Sequence, residues 1–325
     1  MILIVGGAGY IGSHITKKLY ELGYDVVVFD NFSTGHRSFI QWGSQFEGDL
    51  RNKDDLNNCF KKYAITAVIH TAALSIVPDS LKNPQSYYEN NVIGTFNLLT
   101  VMRLYNVNTF IFSSTCAVYG EVEIQPISEE TPCNPITPYG QTKRMIELML
   151  HDFHSAYGLN YISLRYFNAI GADPEGTIGE SHHPETHLVP LCFMAIECNQ
   201  PLTVYGTDYD TPDGTCIRDY CHVNDIAMAH ILSLNHLQLK KSSGCYNLGI
   251  GQGYSVKQVI TTIEKVTGNK VPIQWGDRRC GDVARLEAKP DKIYTTFNWK
   301  PEYTNLEKSI QTAWNWFSHH EKKIL

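Results

Sequence analysis

The sequence predicts an α/β protein in which a doubly wound parallel sheet is joined to a smaller, interleaved C-terminal domain. Short β-branched runs alternate with amphipathic stretches through the first half of the chain, as in parallel sheets that carry helices on both faces. After Tyr166 this alternation ends, and glycine and proline become frequent between residues 171 and 184, which indicates a loop-rich architecture. A chain of 325 residues can hold two such domains.

The individual elements follow from these patterns in chain order. The predicted strands are Ile2–Val5, Val26–Asp30, Phe46–Glu47, Ala67–His70, Thr109–Ser113 and Tyr161–Arg165. The predicted helices are Ile11–Leu22, Asp54–Lys62, Pro84–Leu104 and Pro138–Tyr157. A last helical region spans residues 290–317, where we expect Trp314 and Trp316 to pack in the core. We assign residues 1–168, with a returning segment at 218–248, to the first domain and residues 169–325 mainly to the second.

Charge and cysteine content exclude several classes of partner. The net charge is −6 and lysine and arginine form no run, so we expect neither a nucleic-acid nor a membrane partner. Met1 is followed at once by the first predicted strand, so we expect no secretory leader. The nine cysteines are scattered and form no Cys-x-x-Cys pair, so we expect reduced thiols and a cytoplasmic protein.

Three histidines lie close together in the second half of the chain, at His182, His183 and His187. A zinc site needs a complete set of ligands, and the sequence offers no clear further set beside them. We therefore predict no metal and interpret these side chains as solvated loop histidines.

The first strand runs directly into Gly6, Gly9 and Gly12. Without Cβ atoms, such a turn lets a pyrophosphate approach the backbone and the open N–H groups of the following helix, as in Rossmann-type dinucleotide-binding units. Asp30 ends the second strand, where a carboxylate accepts hydrogen bonds from the adenosine ribose and repels a 2′-phosphate. We therefore predict NAD rather than NADP, and we interpret Arg37 as a solvated loop charge.

Tyr139 and Lys143 are four residues apart in a predicted helix, so both side chains lie on one face. A tyrosine has a pKa near 10 and acts as a base at neutral pH only if positive charge stabilises its phenolate. Lys143 and an oxidised nicotinamide would both supply that charge. The spacing alone is a weak signal, and it gains weight from the glycine turn and from the cluster Ser113, Ser114 and Thr115.

Together these motifs resemble the extended short-chain dehydrogenase/reductase family over essentially the whole chain. The segments that carry the resemblance are Gly6-Gly7-Ala8-Gly9-Tyr10-Ile11-Gly12, Asp49-Leu50-Arg51, Ser113-Ser114-Thr115 and Tyr139-Gly140-Gln141-Thr142-Lys143. Further segments resemble the nucleotide-sugar epimerases within it, namely residues 166–172, 179–181, 184–190, 205–209, 213–215, 218–220 and 222–223.

The resemblance implies a role for each matching residue. Tyr139 is the expected general base and acid, Lys143 holds the nicotinamide ribose, and Thr115 binds the reacting hydroxyl of the sugar. The remaining implied cofactor contacts are Gly6, Gly9, Tyr10, Ile11, Gly12, Asp30, Asn31, Ser33, Thr34, Gly35, Asp49, Leu50, Thr71, Ala72, Ala73, Ser75, Asn90, Tyr166 and Phe167. The remaining implied substrate contacts are Asn168, His187, Leu188, Thr203, Val204, Tyr205, Arg218, Arg279, Asp282 and Leu286.

Two positions depart from the pattern of many relatives. Ser75 stands where a lysine is common, so one charge near the pyrophosphate is lost. Leu286 stands where some relatives carry a bulky tyrosine against the C2 substituent of the sugar. We hypothesise that Leu286 leaves room for an N-acetyl group.

The resemblance implies interconversion of UDP-glucose and UDP-galactose through C4 oxidation, rotation of a 4-keto intermediate and re-reduction, with UDP-N-acetylhexosamines as further substrates. Dehydration is disfavoured, because Cys116 and Ala117 stand where a dehydratase needs an acid pair. Epimerisation of UDP-xylose, UDP-arabinose or UDP-glucuronate stays open, and a non-catalytic NAD-binding protein is a weaker alternative. The family also implies a homodimer that pairs helices near 84–104 and 138–157.

Overall fold

The computed structural model describes residues 1–240, 242–279 and 282–320. Its strands are β1 (Ile2–Val5), β2 (Val26–Asp30), β3 (Ser44–Glu47), β4 (Ala67–His70), β5 (Thr109–Thr115), β6 (Asn160–Tyr166), β7 (Asn168–Ile170), β8 (Leu202–Tyr205), β9 (Ile217–His222), β10 (Gly244–Leu248), β11 (Gly253–Ser255), β12 (Ile273–Gly276) and β13 (Arg285–Leu286). Its helices are α1 (Tyr10–Glu21), α2 (Lys53–Lys62), α3 (Val77–Lys82), α4 (Pro84–Tyr87), α5 (Gly94–Leu104), α6 (Pro138–Tyr157), α7 (Leu188–Cys198), α8 (Val223–Lys240), α9 (Val256–Thr267), α10 (Asp291–Phe297) and α11 (Leu306–His319).

The central feature is a seven-stranded sheet in the order β10-β6-β5-β4-β1-β2-β3. Neighbouring strands are parallel throughout. The chain order reverses between β1 and β4, and in doubly wound sheets ligands bind at the carboxyl ends of the strands beside that switch point. The predicted fold class is thereby confirmed, and the site is expected between the ends of β1, β4 and β5.

Side chains of the central strands alternate between two hydrophobic cores. Ile2 and Ile4 of β1 face the core under α1 and α8, whereas Leu3 and Val5 face the core under α2, α5 and α6. This alternation is the two-residue period of a strand that is buried on both faces. The large sheet is thus a rigid platform for the loops at its carboxyl edge.

The second part of the chain forms two smaller sheets. Strand β9 pairs with β7, β11 and β13, and β12 pairs with β8. The segment 218–248 therefore differs from the expectation, because β9 lies in a smaller sheet and only α8 and β10 return to the large one. A third core fills the space among α7, α9 and α11.

Helix positions agree with the predictions except in two regions. The predicted helix Pro84–Leu104 is divided into α4 and α5 by a π-helical turn at Tyr88–Ile93. The helical region 290–317 comprises α10 and α11 with an extended segment between them, where Trp316 is buried and Trp314 partly buried, as predicted. Within the described residues, no helix combines the length and apolarity needed to cross a membrane.

Candidate active site

In the glycine turn between β1 and α1, Gly6 and Gly12 cannot be replaced by larger residues without a steric clash with the backbone. Gly6 has a φ of +84°, and a Cβ at this position would collide with the backbone of Ala72. A Cβ at Gly12 would collide with the carbonyl oxygen of Gly6. At Gly9, by contrast, a Cβ would make only an ordinary contact of 3.4 Å inside the protein. Gly6 and Gly12 are therefore required by the fold, and the space at Gly9 is open.

Helix α1 begins at this turn with its first amide groups uncovered. Its N-cap is Gly9, and among the described residues no side chain caps it and no acidic residue lies in its first turn. Helices α2 and α6, by contrast, are capped by the side chains of Asn52 and Thr137. Because uncapped N–H groups carry partial positive charge, the start of α1 can hold an anion.

Asp30 at the end of β2 folds back onto the glycine turn. Its two carboxylate oxygens accept hydrogen bonds from the amides of Ala8 and Phe32, both at 2.9 Å. Burial raises the pKa of this carboxyl group, and the two amides oppose that rise. Each oxygen keeps a further lone pair for a ribose hydroxyl. Arg37 nearby pairs with exposed Glu47 at 2.7 Å, which agrees with its interpretation as a loop charge.

The predicted catalytic residues meet at the carboxyl end of β5. Lys143 is buried on α6 and donates a hydrogen bond from Nζ to the carbonyl oxygen of Ser113 at 2.8 Å. The same Nζ lies 6.0 Å from the centroid of the Tyr139 ring. Thr115 ends β5, accepts a hydrogen bond from the amide of Ala117 at 3.1 Å, and stabilises the charged form of Tyr139 through a side-chain hydrogen bond.

The protein alone does not lower the pKa of Tyr139. Removal from water raises this pKa, and the hydrogen bond to Thr115 opposes the rise. Desolvation also lowers the pKa of Lys143 to about 7, against the opposing charge of Glu147. Lys143 alone therefore does not lower the pKa of Tyr139, because both groups are removed from water. The charge of an oxidised nicotinamide, which we expect from the sequence beside Lys143, is needed as well. The site favours a neutral phenol beside a weakly basic amine.

A buried ion pair that the sequence analysis missed supports the catalytic helix. Glu147, one turn beyond Lys143, binds Arg165 of β6 through two hydrogen bonds of 2.8 and 2.7 Å. Ser114 donates a third hydrogen bond to the same carboxylate at 2.7 Å. The four-residue spacing from Tyr139 through Lys143 to Glu147 is visible in the sequence and could have indicated this residue.

The side chains of several predicted contact residues are packed or hydrogen-bonded inside the protein. Tyr166 is buried, and its hydroxyl is bonded to Ser113 and, at 2.8 Å, to His230. Leu50 and Val204 are buried in the cores. The side chains of Leu50 and Val204 thus pack in the cores, and the Tyr166 hydroxyl is already engaged within the protein. The predicted contacts of these three residues stay predictions.

The predicted substrate residues lie along the smaller sheets. Arg218 of β9 is paired in register with Leu286 of β13. Arg279 is exposed, forms an ion pair with Asp282 at 2.9 Å, and lies 4.9 Å above the ring of Tyr205. A guanidinium held in this way can bridge diphosphate oxygens.

The other predicted residues occupy the edge around these groups. Tyr10 donates from its hydroxyl to the Gly171 carbonyl at 2.5 Å, and the Thr71 hydroxyl donates to Val5 at 2.9 Å. The remaining predicted residues lie in loops, or in helices and strands, near the carboxyl edge of the large sheet or near the smaller sheets. They are Ile11, Asn31, Ser33, Thr34, Gly35, Asp49, Ala73, Ser75, Asn90, Phe167, Asn168, Leu188 and Thr203.

The side chains of His182 and His187 lie beside the carboxylates of two glutamates, which were not expected from the sequence. His187 Nδ1 lies 2.8 Å from Glu180 Oε1 and 2.9 Å from Glu185 Oε1. His182 Nδ1 lies 3.5 Å from an oxygen of each of the same carboxylates. Burial alone would lower the pKa of His182, but Glu180 and Glu185 raise it to about 9. Both His183 and His187 are exposed, whereas His182 is half-buried.

Comparison with known proteins supports the interpretation of these features. The UDP-glucose 4-epimerase of Halalkalibacterium halodurans is 48% identical over 320 residues, covering 98% of this chain and 96% of that protein. The crystal structure of UDP-glucose 4-epimerase from Brucella ovis in complex with NAD has a TM-score of 0.94 and 47% identity, covering 97% and 98% of the two chains. The structure of the Bifidobacterium longum enzyme with NAD+ and UDP has a TM-score of 0.94 and 36% identity, covering 99% of each chain.

The model of the NAD dependent epimerase/dehydratase family matches residues 2–249. This range contains the glycine turn, Asp30, Thr115, Tyr139 and Lys143. The predictions of an NAD cofactor and of an enzyme related to the nucleotide-sugar epimerases are thereby confirmed. The chain belongs to the NAD dependent epimerase/dehydratase family.

Proposed function

We propose that this protein interconverts UDP-glucose and UDP-galactose by inversion at the sugar C4. The observation that carries this proposal is the meeting of Thr115, Tyr139 and Lys143 at the carboxyl end of β5. This end lies on the same edge of the parallel sheet as the uncapped start of α1. A hydroxyl-binding group and a proton acceptor are thus placed beside an anion-binding helix end.

Each residue has a chemical task in this proposal. Bound NAD would supply reversible hydride transfer at C4, which inverts this carbon if the 4-keto sugar rotates between the two transfers. Tyr139, as the phenolate that the positive charge of an oxidised nicotinamide would stabilise, accepts the proton of the 4-hydroxyl group and gives it back. Thr115 orients that hydroxyl, and Lys143 holds the nicotinamide ribose. The open space at Gly9 and the amides of α1 receive the pyrophosphate, while Asp30 accepts from the adenosine ribose.

The nucleotide sugar is held from the other side of the cleft. Arg218 and Arg279 bind its diphosphate, with Asn168, His187 and Leu188 beside them. Leu286 is partly buried and packs against the cluster that contains Phe167. A leucine at this position leaves more space than a tyrosine, so we include UDP-N-acetylglucosamine and UDP-N-acetylgalactosamine among the substrates.

A panel of substrates tests the proposal against its alternatives. Purified protein is incubated with UDP-galactose, UDP-N-acetylglucosamine, UDP-xylose or UDP-glucuronate, and the products are separated by anion-exchange chromatography. We expect UDP-glucose from UDP-galactose, and UDP-N-acetylgalactosamine from the acetylated sugar. Turnover of only UDP-xylose or UDP-glucuronate would favour the alternative epimerases. No turnover of any sugar by NAD-loaded protein would favour a non-catalytic NAD-binding protein.

We also propose that the protein is a cytoplasmic homodimer. Exposed apolar side chains on or beside α5 and α6 favour pairing of these helices, namely Ile93, Phe96, Met145, Leu148 and Tyr157. Light scattering should show that Leu148→Glu shifts the protein to a monomer, whereas Leu239→Glu on α8 does not. The eight described cysteines are free thiols, which suits a reducing compartment.

The division into domains is a further part of the proposal. We assign residues 1–168 and the return through α8 and β10 to the NAD-binding domain, and most of residues 169–325 to the substrate domain. The membership of the strands in one large and two smaller sheets supports this division.

A further inference from the structure

Four side chains in the segment before α7 converge on one point. They are Glu180, His182, Glu185 and His187, and one ligand atom from each lies within 4.8 Å of the others. The two imidazoles offer nitrogen atoms and the two carboxylates offer oxygen atoms, which are the donors that zinc accepts in proteins. In the sequence only the histidines stand out, because the two glutamates are separated from each other by four intervening residues and carry no motif.

We propose that Glu180, His182, Glu185 and His187 form a structural binding site for a divalent transition metal, with zinc as the preferred ion. The distances from His182 to the two carboxylates match the ligand separation around a tetrahedral ion, whereas His187 lies at the shorter distances of direct hydrogen bonds. His187 Nδ1 lies 2.8 and 2.9 Å from the two carboxylates, and His182 Nδ1 lies 3.5 Å from each. A tetrahedral ion with ligand bonds of about 2.0–2.1 Å separates its ligands by about 3.4 Å.

A second observation, on the hydrogen bonding of His182, also favours a bound cation at this place. His182 Nδ1 is buried, and no group within the described residues forms a hydrogen bond with it in acceptable geometry. Buried polar atoms are nearly always satisfied. A cation between the two carboxylates would give this nitrogen a partner. Two carboxylates and two neutral imidazoles also balance the charge of a divalent ion.

The location of the cluster indicates a structural role. The His182 ring lies edge-on to Tyr10 of α1, with centroids 6.4 Å apart. His187 is the N-cap residue of α7, and the Glu180 carbonyl accepts a hydrogen bond from Trp316 Nε1 at 3.2 Å. Four protein ligands leave no open position for substrate, as in structural zinc sites. The ion would fix the substrate segment against the cofactor helix and would hold His187 in place beside the proposed diphosphate site.

Metal analysis of the tag-free protein tests the proposal, with the neighbouring histidine as the matched control. Cells are grown with zinc, and the metal content of the dialysed protein is measured by plasma mass spectrometry. We expect about one zinc ion per chain in the parent and in His183→Asn, because His183 is exposed and outside the cluster. His182→Asn removes a ligand and should weaken zinc binding by more than about 100-fold, since loss of even an outer partner costs 10–100-fold.

Cobalt substitution gives a readout that is independent of activity and of protein stability. Tetrahedral Co²⁺ bound by nitrogen and oxygen should show visible d–d bands without the intense ultraviolet band of cobalt–thiolate bonds. If His182→Asn does not fold, Glu185→Gln serves as the second variant. Parent protein without stoichiometric metal, equal metal content in His182→Asn and His183→Asn, or a thiolate band from the cysteines would each overturn the assignment.

Discussion

The two sides of the candidate site differ in how completely the protein fixes them. On the side of the large sheet, Lys143 is buried and bonded to Ser113, and Glu147 beneath it is bonded to Arg165 and Ser114. On the side of the smaller sheets, Arg279 is exposed and forms a local ion pair with Asp282, three residues away. The chemistry is therefore held by buried contacts, whereas the groups proposed to bind the nucleotide lie at the surface.

This difference suits a reaction in which the sugar must turn over between two hydride transfers. The proton acceptor and its partners need fixed positions, because small displacements of reacting groups cost much rate. The diphosphate groups need a strong but adaptable anchor that leaves the sugar free to rotate. We therefore expect variants on the sheet side to affect rate or stability, and variants on the other side to affect substrate binding.

The largest effect is expected for Tyr139→Phe. Loss of the proton acceptor should reduce kcat by about 10²–10⁴-fold, while NAD content stays equal to that of the parent. Turnover of UDP-galactose and bound dinucleotide are measured together. The control is Tyr157→Phe, which removes an exposed hydroxyl from the same helix. Equal turnover in Tyr139→Phe and Tyr157→Phe would refute the assignment of the base.

Glu147→Gln tests the buried support of the catalytic helix. The change leaves the buried Arg165 guanidinium without its counter-charge, which should lower the free energy of unfolding by about 3–5 kcal/mol. Glu47→Gln removes the partner of exposed Arg37 and should cost less than about 1 kcal/mol. Denaturant unfolding of both variants gives the comparison. Similar losses would show that burial does not distinguish the two ion pairs.

Arg279→Ala tests the substrate side. Loss of a charged hydrogen-bond donor to the diphosphate should raise KM for UDP-galactose by about 10–100-fold with a smaller change in kcat. Arg278→Ala is the control, because Arg278 is paired with Asp208 at 2.7 Å. Steady-state kinetics of both variants separates the two effects. A fall in kcat at constant KM would place Arg279 on the chemical side of the site.

The smallest effect is a pH dependence of stability from Lys143. Its pKa falls from 10.5 to about 7 in the folded protein because burial removes it from water. Between these pH values the unfolded chain binds more protons, so this group makes stability rise with pH. Lys143→Met should flatten that rise between pH 7 and 9 when unfolding of both proteins is followed at equal cofactor content. A parallel pH profile in parent and variant would contradict the lowered pKa.

Local features of the site could be predicted from the sequence, and long-range ones could not. The glycine turn, Asp30 and the pair Tyr139 and Lys143 are recorded in short spacings that helix and strand geometry explains. The contact of Tyr166 with Ser113 and His230 joins three separate elements, β6, β5 and α8. No periodicity records such packing, and for the same reason the buried positions of Leu50 and Val204 were missed.

The fold class could be predicted from the alternation of strands and helices. The sheet that the strand at residues 217–222 joins could not be predicted in this way. Residues 217–222 mix apolar with charged and polar side chains, and this composition does not specify which sheet the strand joins. Pairing with β7, β11 and β13 decides the outcome, because register depends on partners that are distant in the sequence. The glutamates of the histidine cluster were overlooked because only the folded segment brings them together.

The central claim is that the hydrogen of C4 leaves the sugar and returns to the same carbon without entering water. UDP-galactose that carries deuterium at C4 tests this directly, with mass spectrometry and NMR of the UDP-glucose formed in ordinary water. The account predicts that the product keeps its deuterium at C4. Loss of the deuterium to solvent during turnover would contradict it.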